Sequence, residues 1–144
     1  MNLKLFFVCV LSGIIFSSAT PLCDLKAKFT KSDFTIRQSS SSDLNLTIRA
    51  KAKNTGTCGW ERGKAKLEWV LKSGPKSAKK FDREILSGKT DLSATVLPGK
   101  IGEFKPIELI WPEVNGKYTF EFYITYNNET ISEDDVDIDV NWGK

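Results

Sequence analysis

Clustered carboxylates near the end of this 144-residue chain are the side chains best suited to chemistry. The cluster comprises Glu133, Asp134, Asp135, Asp137 and Asp139, and carboxylate oxygens are the ligands that calcium prefers. In an extended strand, however, the last three lie about 6.6–7 Å apart along one face, too far apart to converge on one ion. The calcium-loop spacing, with its central glycine and final glutamate, is also missing. We therefore interpret the run as a charged face that keeps a terminal strand from pairing with other chains, and we expect no metal site.

Catalytic side chains are scarce in the rest of the sequence. The chain has no histidine, which excludes Ser-His-Asp and Cys-His catalysis and any histidine-ligated zinc. Neither a Gly-x-Ser-x-Gly motif nor a phosphate-binding glycine loop occurs. A pair of carboxylates hydrolyses glycosides only in a cleft that raises the pKa of one of the two carboxyl groups. No residue of this sequence indicates such a cleft. We expect a protein that is not an enzyme and has no cofactor, and the formal charge of +3 does not indicate nucleic-acid binding.

A group of lysines in residues 72–80 is the candidate binding site of opposite charge. Lys72, Lys76, Lys79 and Lys80 could bind sulfated glycans or anionic lipid headgroups. The alternative is a solvated hairpin tip without a ligand.

The N-terminal residues 1–19 have the three-part layout of a cleavable signal peptide. Asn2 and Lys4 form a short polar start, residues 5–16 are apolar apart from Ser12, and small residues follow up to Ala19. The alternative is a membrane anchor, but about twelve apolar residues are fewer than the ~20 that a spanning helix needs. We therefore expect cleavage after Ala19 and a secreted or secretory-pathway protein, with residues 20–144 as one domain.

This compartment affects how the cysteines and asparagines are interpreted. Cleavage would leave Cys23 and Cys58, which we expect to form one disulfide; the alternative is two buried thiols. Asn45 and Asn128 each begin an Asn-x-Thr sequon, the first on the outward phase of a predicted strand and the second in a predicted turn. In a eukaryotic host both are candidate glycosylation sites.

Alternating polar and apolar residues predict the elements that carry these groups. The alternation is clear over residues 44–50, 64–71, 117–126 and 135–142, and weaker strands are plausible at 25–36, 81–86 and 101–111. Pro106 interrupts the last of these, which indicates an edge position or a bulge. About seven short strands, separated by turn signals and without a helical period, predict an all-β, immunoglobulin-like antiparallel β-sandwich with one disulfide.

Aromatic residues on the apolar phase of these strands are the predicted core anchors: Trp69, Tyr118 and Trp142, together with Trp60 at the end of a turn. Stacking on sugars is the alternative for the tryptophans. The two final strands should pair as a hairpin whose outward carboxylates form an acidic surface. The lysines of residues 72–80 would then project from another part of the sandwich, giving two regions of opposite charge.

Several turn residues resemble the four-tryptophan immunoglobulin-like domain of selective-autophagy cargo receptors. The matching residues, in order, are Asn54, Gly56 and Trp60, then Gly63, then Pro98 and Gly99, and finally Pro112, Gly116 and Tyr118. The chain departs from that family at Ala50 and Phe122, where the family has tryptophan, and at Glu61, where it often has proline. The resemblance implies the sandwich fold, whereas a cytosolic autophagy role does not fit a chain with a signal peptide.

These observations favour a secreted or cell-surface, non-catalytic binding module whose partner is a protein or a glycan. One alternative is a small lipid carrier that resembles the secreted lipid-recognition (ML) domains, which usually have more disulfides than the single one expected here. Another is a structural subunit of an extracellular assembly, since edge strands invite strand addition. The sequence identifies neither the partner nor the oligomeric state.

Overall fold

The computed structural model describes residues 22–38, 45–75, 87–110 and 114–142. Their strands, in chain order, are β1 (Ala27–Lys28), β2 (Phe34–Gln38), β3 (Asn45–Asn54), β4 (Ala65–Ser73), β5 (Ser87–Asp91), β6 (Ile101–Glu103), β7 (Ile107–Ile110), β8 (Gly116–Tyr126), β9 (Glu129–Thr130) and β10 (Val136–Trp142). A 3-10 turn, Lys31–Asp33, lies between β1 and β2. The predicted signal peptide and the predicted strand at 81–86 lie outside the described residues.

These strands form two antiparallel sheets. In sheet I, β3 is central, with β1 and β2 along one side and β6 and β7 along the other. Sheet II has the order β10-β8-β4-β5, and the short β9 also pairs with β8. Because β1 with β2, and β6 with β7, each occupy one strand position, the described strands correspond to about seven positions. The predicted all-β, immunoglobulin-like sandwich is therefore confirmed.

Two of the weaker predicted strands are each broken in two. The segment predicted at 25–36 contains the 3-10 turn, which begins where the Thr30 backbone N–H donates to Asp33 Oδ2 at 2.9 Å. The segment predicted at 101–111 is interrupted between β6 and β7, at Lys105 and Pro106. Proline has no N–H for a strand ladder, which accounts for the second break.

Backbone hydrogen bonds also join the two sheets along both sides of the sandwich. On one side, Ala27 N donates to Ile131 O at 2.8 Å, and Glu133 N donates to Ala27 O at 2.9 Å. On the other side, Lys105 N donates to Asp91 O at 2.9 Å. None of the described segments forms a helix long and apolar enough to span a membrane.

The core lies between the sheets and is rich in aromatic side chains. The predicted anchors Trp60, Trp69, Tyr118 and Trp142 are all buried. Trp69 lies opposite Gly88 on β5, and a Cβ atom on Gly88 would overlap the indole. Tyr118 Oη donates to Val114 O at 2.7 Å, a bond that resembles the tyrosine corner of immunoglobulin-like sandwiches.

One end of the sandwich is organised by the turn of residues 54–60. Cys58 in this turn is bonded to Cys23, with Cα atoms 5.5 Å apart, so the predicted disulfide is confirmed. The turn also approaches the chain beside Cys23 closely, since a Cβ on Gly56 would collide with the Asp24 carbonyl. Only glycine fits there.

Candidate binding surface

The outer face of sheet II carries carboxylates that are largely neutralised by lysines. Lys72 Nζ lies 2.7 Å from Glu121 Oε1 and 3.1 Å from Asp137 Oδ1. On the same face, Lys117 Nζ lies 2.8 Å from Asp139 Oδ2. The hydrogen bonds that Lys72 donates to Glu121 and then to Asp137 raise the pKa of Lys72, while the hydrogen bond that Lys117 donates lowers the pKa of Asp139. These residues neutralise one another, which leaves little net charge to attract a ligand.

The prediction of two separate, oppositely charged regions is therefore wrong for Lys72. This lysine is at the end of β4, which pairs with β8 and brings it beside carboxylates 49 and 65 residues further along the chain. Sequence spacing does not show such neighbours. The remaining candidate lysines, Lys76, Lys79 and Lys80, lie outside the described residues and stay a prediction.

Another carboxylate is held at the edge of the 54–60 turn. Glu61 accepts a hydrogen bond from Tyr126 Oη at 3.1 Å and forms an ion pair with Lys64 Nζ at 2.8 Å. The hydrogen bond from Lys64, followed by that from Tyr126, lowers the pKa of Glu61. Burial, and then Glu61, raises the pKa of Tyr126. The Glu61 carboxylate therefore stabilises the fold in its ionised form.

Metal ligands are a separate question. Among the described residues, no three potential metal-binding side chains lie together.

The outer face of sheet I differs from this pattern because it is rich in unpaired cations. Arg49, Lys51 and Lys53 alternate along β3 with buried residues, so all three project from the same face. Lys28 on β1 lies directly opposite Lys53, and Arg37 on β2 lies opposite Thr47 of β3. We call these residues the basic face: Lys28, Arg37, Arg49, Lys51 and Lys53.

None of the basic-face side chains forms an ion pair within 4.0 Å with any described residue. Glu103 and Glu108 are the carboxylates that the described strands add to this face, and Glu103 lies opposite Lys51. Lysine and arginine side chains that are exposed and unpaired keep their full charge available to a ligand. The basic face is therefore the best candidate for binding an anion in the described part of the chain.

A pocket of about 310 Å3 adjoins the basic face. Its polar lining is Ser32, Asp33, Thr35, Arg49, Lys51 and Glu103. Ser32 and Asp33, which belong to the 3-10 turn between β1 and β2, form one part of its wall. The Arg49 guanidinium at its wall has the fork geometry that binds a sulfate or a carboxylate with two hydrogen bonds.

Both glycosylation candidates are exposed. Asn45 begins β3 and lies on the outer face of sheet I, opposite Ile110. Asn128 is in the turn between β8 and β9, where Asn127 and Asn128 have φ of 51° and 69°. Asparagine tolerates this left-handed conformation, which suits a tight hairpin turn. Their modification stays a prediction.

Sequence reasoning missed most of the basic face. The outward phase of Arg49 was visible, and the same period of two continues to Lys51 and Lys53, so this row of cations could have been found. Lys28 and Arg37 could not have been assigned to this face from the sequence, because their positions beside β3 depend on the order and register of the strands.

Comparisons with known proteins give likenesses of fold alone. No protein-family model matches the chain, and no curated protein matches its sequence. A CARDB domain from Pyrococcus furiosus, crystallised in complex with di-metal ions, is similar at a TM-score of 0.42 and 14% identity, over 83% of this chain and 92% of that one. The solution structure of that domain has a TM-score of 0.45 and 14% identity, over 83% and 94%. A putative β-galactosidase from Bacteroides fragilis has a TM-score of 0.44 and 16% identity, over 81% of this chain and 17% of that one.

The resemblance to the four-tryptophan domain, and the weaker one to ML domains, was wrong. The similar solved structures include CARDB domains, and no family model supports either resemblance. The physical reason is that the matching residues have structural roles, in turns and in the core, that any such sandwich requires. Asn54 and Gly56 form a tight turn, Trp60 fills the core, and Gly99 supplies a positive φ of 76° in another turn.

Proposed function

We propose that this protein is a secreted or cell-surface, non-catalytic binding module that binds an anionic partner through the basic face. The observation that carries the proposal is the row of Arg49, Lys51 and Lys53, which project together from β3 without an ion pair to any described residue. Such a row attracts a partner with repeated sulfate, phosphate or carboxylate groups.

The other parts of the proposal have separate support. The lack of histidine supports a non-catalytic role, because the commonest general base is absent. The signal-like residues 1–19 and the disulfide support a secretory location, since disulfides persist in oxidising compartments.

Binding of this kind depends on the electric field of the surface as well as on contacts. Exposed cations attract an anionic partner over about a Debye length, roughly 8–10 Å near physiological salt, so association should slow as salt screens them. Arg49 adds geometry to the attraction, because a guanidinium fork orients a sulfate or a carboxylate while a lysine provides a point charge.

Heparin, immobilised on a sensor surface, is a suitable polyanion to test the proposal. Lys51→Glu should slow association by about tenfold at low salt, an expectation for lost electrostatic steering. Lys89→Glu is the matched control, because Lys89 is also exposed but lies on β5 of sheet II, and it makes the same change in net charge. Equal effects of the two variants would refute a role for the basic face.

A second arm tests the lysines of residues 72–80. Charge reversal of Lys76, Lys79 and Lys80 should leave heparin binding closer to the wild-type level than Lys51→Glu does. If the loop variant loses binding and Lys51→Glu does not, the loop is the binding site and the basic face is not.

A further inference from the structure

The exposed large hydrophobic side chains of the described residues gather at the end of the sandwich where the basic face begins. Leu97 and Ile101 are each 63% exposed, and Leu22 is 95% exposed. Ile101 is on β6 directly opposite Lys53, so it belongs to the same outer surface as the basic face. Leu22 precedes Cys23, whose disulfide to Cys58 places it at this end.

The turn that carries Leu97 is held firmly against the sandwich. Lys100 N donates to Leu97 O at 3.1 Å, which closes the turn of residues 97–100. The backbone of Asn54 then holds the turn, because Gly99 N donates to Asn54 O at 2.8 Å and Asn54 N donates to Lys100 O at 2.9 Å. Leu97 and Ile101 are therefore presented to solvent by an anchored turn.

Lysines flank these apolar side chains. Lys28, Lys53 and Ile101 lie in one row across β1, β3 and β6, which spans about 10 Å at the usual strand spacing. Lys100, which directly precedes Ile101 in the chain and closes the turn that carries Leu97, is exposed as well. We call this surface the tip: Lys28, Lys53, Leu97, Lys100 and Ile101.

The geometry points to an anionic lipid bilayer as the partner of the tip. Lysine ammonium groups bind anionic headgroups, and apolar side chains at the same level enter the boundary between headgroups and acyl chains. A sulfated glycan would use the lysines but gain nothing from two exposed aliphatic side chains. This inference rests on the proposed function, because the tip shares Lys28 and Lys53 with the basic face.

The position of the glycosylation candidate on sheet I is compatible with this orientation. Asn45 and Lys53 are at opposite ends of β3, eight residues and therefore about 27 Å apart. A glycan on Asn45 would extend from the end of sheet I that is remote from the tip. The tip would remain free to contact a membrane.

Cosedimentation with vesicles tests this inference. The wild-type protein should bind vesicles of phosphatidylcholine with one-fifth phosphatidylserine and should not bind phosphatidylcholine alone. Leu97→Ser with Ile101→Ser should reduce partition into the anionic vesicles by about tenfold or more, since each side chain loses apolar burial. The same variant should keep wild-type binding to heparin, because its lysines are unchanged.

The serine variant separates the two proposals, and charge reversal tests the lysines that they share. Lys28→Glu with Lys53→Glu should reduce binding to both heparin and anionic vesicles, whereas Lys89→Glu should reduce neither. Thermal unfolding of each variant checks that the fold is intact. Heparin binding without vesicle binding, or vesicle binding that the serine variant leaves unchanged, would overturn the membrane inference and favour a soluble polyanion. If Lys28→Glu with Lys53→Glu leaves heparin binding unchanged, that result would instead overturn the proposed function.

Discussion

Replacing Asn54 with alanine tests how one buried amide holds the turn of residues 54–60. Its Nδ2 donates to Cys58 O at 2.8 Å and to Val96 O at 3.3 Å, while its Oδ1 accepts from Gly56 N at 3.1 Å. The side chain is fully buried, so water cannot replace these partners in the folded state. Alanine would remove all three bonds and leave the Cys58 carbonyl and the Gly56 N–H without these partners, while Val96 O would keep the hydrogen bond that it accepts from Trp60 N at 2.8 Å.

The expected cost follows from these contacts. Three hydrogen bonds at about 1 kcal/mol each give a loss of about 3 kcal/mol in the free energy of unfolding. Asn54→Asp keeps the shape but places a carboxylate oxygen against the carbonyls of Cys58 and Val96. It should therefore destabilise the protein at least as much as alanine does at neutral pH.

Urea unfolding followed by tryptophan fluorescence measures this loss. Asn141→Ala is the matched control, because Asn141 is exposed on β10, and its removal should change the free energy of unfolding by no more than about 0.5 kcal/mol. If Asn54→Ala costs less than about 1 kcal/mol, or no more than the control, the hydrogen bonds of this amide do not stabilise the turn as argued.

Two further predictions concern the same end of the sandwich. Cys23→Ser with Cys58→Ser should lower the free energy of unfolding by about 3–4 kcal/mol, since the bond closes a loop with a sequence separation of 35; equal urea midpoints for variant and wild type would contradict this. The pKa of Glu61 is lowered in the folded protein. Its contribution to stability is therefore present at pH values above its pKa in the unfolded chain and is lost as the pH falls through its pKa in the folded protein. Unfolding measured at a series of pH values should therefore show the wild type losing stability more steeply than Glu61→Gln below about pH 4.5, and parallel curves would argue against the ion pair.

Much of the fold could be predicted because strand residues face opposite sides in strict alternation. The apolar phase that contains Trp69, Tyr118 and Trp142 is buried, as the period of two requires. The pairing of Cys23 with Cys58 followed from the expected compartment and from the number of cysteines that the expected cleavage would leave. Local breaks such as the 3-10 turn were harder to predict, because they depend on a cap formed by one side chain, Asp33.

The sequence by itself determined which residues of each strand face outward, including Arg49, Lys51 and Lys53. Only the tertiary structure decided which outward residues become neighbours. Pairing of β4 with β8 places Lys72 among carboxylates, while pairing of β3 with β1 and β6 places Lys53 between Lys28 and Ile101. The physical reason is that alternation is a local property of the backbone, whereas contacts across a sheet depend on strand order and register between distant segments.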